Sequence, residues 1–271
     1  MYNYNLMKHI LQRIDSRHLA KLWSFYRNYF SDDTSCLQFL YASLENEPVN
    51  DGTIYHEAET GNKLFMDNQG ATINDSDFIP RRMLNAVERL VTAARDMEQI
   101  RRGKDVFKII YLVTCVETLQ LLKKTATDVN GSANSKKEIL FDFFEKYVED
   151  KDRIFIKKNF SHDDEDHILI SGLHEQEDSF QQFIGVINEY RNCAAHEGEY
   201  WEFCFANNID GYPTLLTLNI DLEHYSRKNK REHCFRSTIS YKNFEDIFVR
   251  TCIHFIRSYV IERNMRKASD E

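Results

Sequence analysis

The stretch FKIIYLVTCVETLQLL, Phe107–Leu122, is apolar on nearly every side when it is drawn as a helix. A helix with this pattern buries most of its circumference, so we predict a central helix from about Asp105 to Lys124. The chain has 271 residues, of which 42% are hydrophobic but only 9 are Gly and 3 are Pro. So few turn-forming residues favour long helices over many short strands. The sequence therefore predicts a mainly α fold, arranged as a helical bundle.

Further elements are predicted on both sides of this helix from hydrophobic spacing and from turn-forming residues. The segment 46–76 contains one Pro and three Gly, which predict a loop or a small hairpin. TLLTLNIDL, Thr214–Leu222, is expected to be a strand or an extended segment, the minor β element of the fold. We expect an N-terminal helical segment and loop at 1–76 and a helical domain at 77–271. The other predicted helices lie at 6–30, 33–44, 81–102, 138–147, 176–197 and 244–267.

The charged residues are unevenly distributed along the chain, although the formal net charge of −8 argues weakly against a general nucleic-acid coat. From Phe141 to Glu189 there are 13 acidic residues and 5 Lys or Arg, whereas from His224 to Lys267 there are 11 Lys or Arg and 4 acidic residues. A chain with this asymmetry can be acidic overall and still offer a basic surface.

The sequence lacks the patterns of a membrane span, a signal peptide and a zinc site. No apolar run is long enough to span a bilayer, and the first residues lack a signal-peptide layout, so we expect a cytoplasmic protein with no membrane partner. The six cysteines are scattered without a C-x-x-C pair, which favours buried free thiols over disulfides or zinc. We predict no metal and no cofactor.

The helix SFQQFIGVINEYRNCAAH, Ser179–His196, carries the polar residues of greatest interest. At about 100° per residue, Arg191 lies roughly 40° from Ile187 and leans toward the apolar stripe. His196 lies on the opposite side of the helix and shares a face with Asn192. Val186 and Cys193 lie off the main stripe, so the helix has a second apolar face, which docking of a second subunit would explain.

Gly198 is a plausible helix stop, which places His196 in the last turn. The helix dipole favours a protonated imidazole there, and such a group can donate and accept protons near neutral pH. Arg191 is permanently charged and can grip a phosphate through two parallel hydrogen bonds. Arg191-Asn192-x-x-x-His196 resembles the R-x(4–6)-H motif of the HEPN superfamily, in which a polar residue typically follows the Arg. The resemblance covers roughly residues 80–267.

This resemblance implies a HEPN-type bundle and a metal-independent endoribonuclease that acts on RNA as a homodimer with a composite active site. It implies that His196 transfers the proton as the RNA 2′-OH attacks the neighbouring phosphate and that Arg191 neutralises the developing charge. Asn192 would orient either His196 or the scissile phosphate. The product would carry a 2′,3′-cyclic phosphate. Proteins of this family act as toxins or in antiviral defence and abortive infection, with an antitoxin or defence-system partner. The alternative is a non-catalytic HEPN module that binds a partner protein or a nucleotide.

Other residues offer a functional and a structural interpretation each. Glu117 either pairs with Arg191 and positions it, or is a partly exposed residue at a helix–helix seam. Tyr200 and Trp201 either stack on a base or pack in the core, and Tyr200 stands later than the Tyr of the related R-x(4)-H-x-Y toxins. His162, His167 and the acids between them either bind a cation or form a solvated loop. The run Ser226–Arg236 either contacts RNA phosphates or is a solvated basic loop, and its candidate contacts are Arg227, Lys228, Lys230 and Arg231.

Overall fold

The computed structural model of the chain is mainly helical, with small antiparallel sheets, so the prediction of a mainly α fold is confirmed. It describes residues 7–8, 10, 15–44, 54–56, 63–66, 72–73, 78–100, 104–125, 135–162, 179–197, 203–206, 213–221 and 226–270.

The helices lie close to the positions predicted from the hydrophobic pattern, except for one helix that was not predicted. They are α1 Ser16–Tyr26, α2 Asp33–Leu44, α3 Ile79–Ile100, α4 Asp105–Thr125, α5 Lys136–Tyr147, α6 Asp150–Asn159, α7 Ser179–Glu197 and α8 Tyr241–Asp270. The start of α1 is set by Asp15, whose side chain accepts hydrogen bonds from the backbone N–H groups of Arg17 and His18. Residues 7, 8 and 10 are also helical, so the helix expected at 6–30 is interrupted at Asp15 and continues as α1.

The unpredicted helix α6 lies in the acidic part of the chain and buries little apolar surface. Its buried residues are Ile156 and Asp152, and the Asp152 carboxylate accepts two hydrogen bonds from Arg250 of α8, at 2.8 and 2.7 Å. A charged side chain therefore occupies a core position, where a search for apolar spacing overlooks it.

The central helix α4 is less enclosed than the sequence suggested. Its buried residues include Ile109, Leu112 and Val116, but Leu121 is 65% exposed. Thr114 is exposed as well, and Glu117 is partly exposed. The expectation of a helix buried on nearly every side is therefore wrong: one stripe of α4, which includes Glu117, reaches solvent.

The strands that the structure describes form two antiparallel sheets of three strands each. In the first, β2 Lys63–Met66 pairs with β1 Ile54–His56 and with β3 Thr72–Ile73, within the segment predicted to be a loop or hairpin. In the second, β6 Ser226–Ser237 lies between β4 Phe160–His162 and β5 Thr214–Asp221. The predicted strand at 214–222 is confirmed.

The basic run at 226–236 is part of a strand, so its interpretation as a loop is wrong. Its last residues alternate: His233, Phe235 and Ser237 are buried, whereas Arg236 between them is exposed. This alternation is the signature of a half-buried strand, and the charged composition of the run obscured it.

The chain divides into two compact units, and α3, α4 and α8 each contribute residues to both. Unit 1 contains residues 1–88, 118–131 and 255–271, and unit 2 contains residues 89–117 and 132–254. In unit 1, the Tyr26 hydroxyl donates to the Leu84 carbonyl at 3.0 Å. In unit 2, Phe144 and Phe244 stack on each other, and Phe183 meets Phe244 edge to face. The contiguous boundary between residues 76 and 77 stays a prediction.

All six cysteines are free thiols, and four of them, Cys36, Cys115, Cys193 and Cys252, are buried. Cys204 is exposed and Cys234 is half-buried, so the expectation of burial holds for four of the six. Burial raises the pKa of the Cys36 thiol to about 12. Burial, and then contact with Cys115, raises the pKa of Cys252 well above its ordinary value. Because a thiol reacts as the thiolate, these two side chains serve packing.

Candidate functional site

The helix that carries the motif, α7, is enclosed by its own chain. Every residue from 183 to 191 is buried, and α5, α6 and β4 pack against the helix. Val186 and Cys193, which form its second apolar face, are 0% and 6% exposed within a single copy of the chain. The second face therefore does not require a second subunit, and that argument for a dimer is wrong. Ala195 and His196 at the end of α7 are exposed.

Arg191 is held by Glu117, as the angular position of the two residues on their helices suggested. The Arg191 Nη2 donates to Glu117 Oε1 at 2.6 Å, and the exposed fractions of the two side chains are 10% and 25%. The pair joins α7 to the solvent-facing stripe of α4. A carboxylate at this distance stabilises the buried guanidinium and fixes its position, so the ion-pair hypothesis is confirmed.

Lys136 extends this pair at the first turn of α5. Its Nζ lies 3.6 Å from the second carboxylate oxygen of Glu117, and its side chain is 63% exposed. Glu117 therefore lies between a buried guanidinium and an exposed ammonium. The arrangement leaves an exposed positive charge beside the motif, where an anionic ligand can approach.

Asn192 connects Arg191 to a buried carboxylate. Its side-chain oxygen accepts from Arg191 Nη1 at 3.0 Å, and its side-chain nitrogen donates to Glu189 Oε1 at 3.4 Å. Glu189 is 4% exposed and also accepts from the Asn188 amide at 3.3 Å. This hydrogen-bond network assigns the orientation of the Asn192 amide and limits the rotation of the Arg191 guanidinium.

His196 lies apart from these contacts. On a helix, five residues turn through about 140° beyond one full turn, so His196 and Arg191 project in different directions. His196 is exposed, and within the described residues its ring makes no hydrogen bond or ion pair. The imidazole is therefore accessible to a ligand that approaches the end of α7.

The remaining candidates are placed only in part. Tyr200, Trp201 and His167 lie outside the described residues. The backbone of Arg227, Lys228, Lys230 and Arg231 lies in β6, but their side chains are not described, so contact with RNA stays a prediction. His162 at the end of β4 meets His233 of β6, with 3.0 Å between Nε2 and Nδ1. No group of three or more His, Cys, Asp or Glu that could hold a metal ion occurs within the described residues.

Two contributors to the site were not anticipated. Glu189 lies within one turn of Asn192 and shares the second apolar face of the helix with Val186 and Cys193. A single acidic residue on an apolar face needs a polar partner, and this position in the sequence could have identified it. Lys136 gave no signal, because a polar segment separates it from Glu117 in sequence and only the fold brings them together.

Comparisons with models of protein families, with curated proteins and with solved structures gave no match to this chain. In the described part of the chain, no helix combines the length and the apolar character that crossing a bilayer requires.

Proposed function

We propose that the chain is a metal-independent endoribonuclease of the HEPN type, which cleaves RNA by attack of the 2′-OH on the adjacent phosphate. The observation that supports this most strongly is the buried Arg191–Glu117 pair, which holds a guanidinium fixed next to Asn192 on the helix that ends with the exposed His196. A fixed cation and an accessible imidazole are the two groups that this reaction needs.

Arg191 binds the scissile phosphate and neutralises the charge that grows on it. A guanidinium has more N–H donors than the contacts to Glu117 and Asn192 use, so it can still donate to phosphate oxygens. Because Glu117 and the Asn192 amide already fix the side chain, little reorganisation is needed when the transition state forms. Glu117 and Asn192 are positioning residues in this scheme.

His196 takes the proton of the 2′-OH as its oxygen attacks the phosphorus. The bond from phosphorus to the 5′-oxygen of the next nucleotide breaks, that oxygen takes a proton from water, and His196 returns its own proton to the solvent. The products are a 2′,3′-cyclic phosphate and a free 5′-hydroxyl, and no electrons are transferred. An imidazole suits this task because it exchanges protons near neutral pH.

A homodimer gives the composite site that this chemistry requires. Arg191 and His196 of one chain project in different directions, so a second copy that docks at the end of α7 brings a second pair of these residues to the same phosphate. Ala195 and His196 are exposed at this position, and the small side chain of Ala195 permits close approach. The cellular role proposed with this activity is that of a cytoplasmic toxin or antiviral defence effector, with RNA as substrate and an antitoxin or defence protein as partner.

A non-catalytic binding module is the second candidate, and one observation favours it. Arg191 is 8% exposed and its charge is balanced by Glu117, which limits its contact with a substrate. In this alternative, the end of α7 binds a partner protein or a nucleotide without cleaving it.

The test is strand scission of labelled single-stranded RNA in EDTA, beside the same sequence carrying 2′-O-methyl groups. We expect the unmodified RNA to be cut and the methylated RNA to remain intact, because methylation removes the nucleophile. The new 3′ ends should resist phosphatase until acid opens the cyclic phosphate. Scission of both RNAs would contradict attack by the 2′-OH, and binding of both without scission would favour the binding module.

A further inference from the structure

Arg263 of α8 is a buried cation whose terminal nitrogens have no partner. The residue is 8% exposed, and neither Nη1 nor Nη2 makes a hydrogen bond within the described part of the chain. Its Nε reaches only the side-chain oxygen of the neighbouring Asn264, at 3.4 Å. A guanidinium does not lose its proton in a protein, so Arg263 remains charged where it is buried.

The other buried cations show how this chain normally compensates such a charge. Three Lys or Arg residues are buried among the described residues: Lys108, Arg191 and Arg263. Lys108 lies 2.7 Å from the Asp105 carboxylate, and Arg191 lies 2.6 Å from that of Glu117. Arg263 differs from both, because no described carboxylate lies against it.

Among the described acidic residues of unit 1, both the one closest to Arg263 in sequence and the most deeply buried one are engaged elsewhere. Glu262, the neighbour of Arg263, pairs with Lys123 at 2.9 Å and accepts from the Ser258 hydroxyl at 3.1 Å. Glu88 pairs with Lys21 at 2.7 Å. The helix dipole offers little compensation, because Arg263 lies about two turns before the end of α8 at Asp270, and the dipole acts within the last turn.

We propose that Arg263 binds a phosphate group, either free or carried by a small ligand, at a site in unit 1 that is distinct from the Arg191 motif. The two unpaired Nη groups form the planar fork that receives two oxygens of one phosphate through parallel hydrogen bonds. The surrounding sequence favours a multiply charged anion, since residues 257–267 contain Arg257, Arg263, Arg266 and Lys267 but only one acid, Glu262.

The test is thermal unfolding of the full chain, with inorganic phosphate titrated into the millimolar range against chloride of equal ionic strength. We expect the Tm of the wild type to rise by about 3 °C at a tenfold excess of phosphate over its Kd. In phosphate-free buffer, Arg263→Met should unfold at a higher temperature than the wild type, because it removes an uncompensated charge. The same variant should show no response to phosphate.

Lys242→Met is the matched control, because it removes a positive charge from an exposed position of the same helix outside this basic segment, where Lys242 pairs with Asp246, and it should retain the phosphate response. Phosphorus-31 NMR of the wild type measures binding without any variant, and adenosine 5′-monophosphate in place of phosphate shows whether a nucleotide is accepted. Three results would each overturn the proposal: no phosphate binding by the wild type, an unchanged phosphate response in Arg263→Met, or a lower Tm of this variant in phosphate-free buffer.

Discussion

Replacing His196 with Ala should slow RNA cleavage by about 10²–10⁴-fold, the contribution typical of a general acid or base. The stability of the chain should change by no more than about 0.5 kcal/mol, because the imidazole is exposed and makes no hydrogen bond with a described residue. Initial rates on a single labelled RNA, together with the Tm of each protein, separate the loss of chemistry from loss of fold.

His254→Ala is the control for this substitution. His254 is also partly exposed, and its Nε2 lies 2.7 Å from the Glu149 carboxylate. Its removal should cost about 0.5–1 kcal/mol of stability and leave the cleavage rate unchanged. Equal losses of rate in the two variants would mean that His196 has no special role.

Removing the carboxylate of Glu117 should destabilise the chain more than removing the guanidinium of Arg191. Glu117→Leu leaves the buried Arg191 charge with only the Asn192 amide, which should cost about 2–3 kcal/mol. Arg191→Met leaves a carboxylate that is 25% exposed and still has Lys136 at 3.6 Å, so its cost should be about 1 kcal/mol. Urea unfolding of the wild type and the two variants measures these differences.

The double variant Glu117→Leu/Arg191→Met provides the control, because it removes both charges together. The double variant should lose less stability than the sum of the losses of the two single variants. The reason is that the cost of Glu117→Leu comes mainly from the buried guanidinium left without its carboxylate, and the double variant removes that guanidinium. Additive losses, or a Glu117→Leu variant at least as stable as Arg191→Met, would show that the 2.6 Å contact contributes little.

The parts of the fold that were predictable are those in which apolar spacing determines the structure. The bounds of α4 differ from the prediction by one residue at the C-terminal end, because its apolar run is continuous and flanked by polar segments. α6 was missed because the buried Asp152 takes the place of an apolar residue. β6 was missed because its charged composition was more conspicuous than the alternation around His233 and Phe235.

The candidate site was predictable where it depends on geometry within single helices. The positions of Arg191 and Glu117 on their helices were enough to predict their ion pair. The proximity of Lys136 to Glu117 depends on tertiary structure, and no local pattern encodes it. The second apolar face of α7 was recognised correctly but assigned to a partner subunit, because one sequence does not reveal which surface of the same chain covers a helix.

The claim that Arg191 and His196 form one catalytic site is tested most directly by a double-variant cycle on the cleavage rate in EDTA. The wild type, Arg191→Gln, His196→Ala and the double variant are compared on the same single-stranded RNA, after each is shown to be folded. Residues that act as one unit lose nearly the full effect when either is removed, so the double variant should be about as slow as the slower single variant. Equal cleavage by all four proteins would place the activity elsewhere and contradict the account.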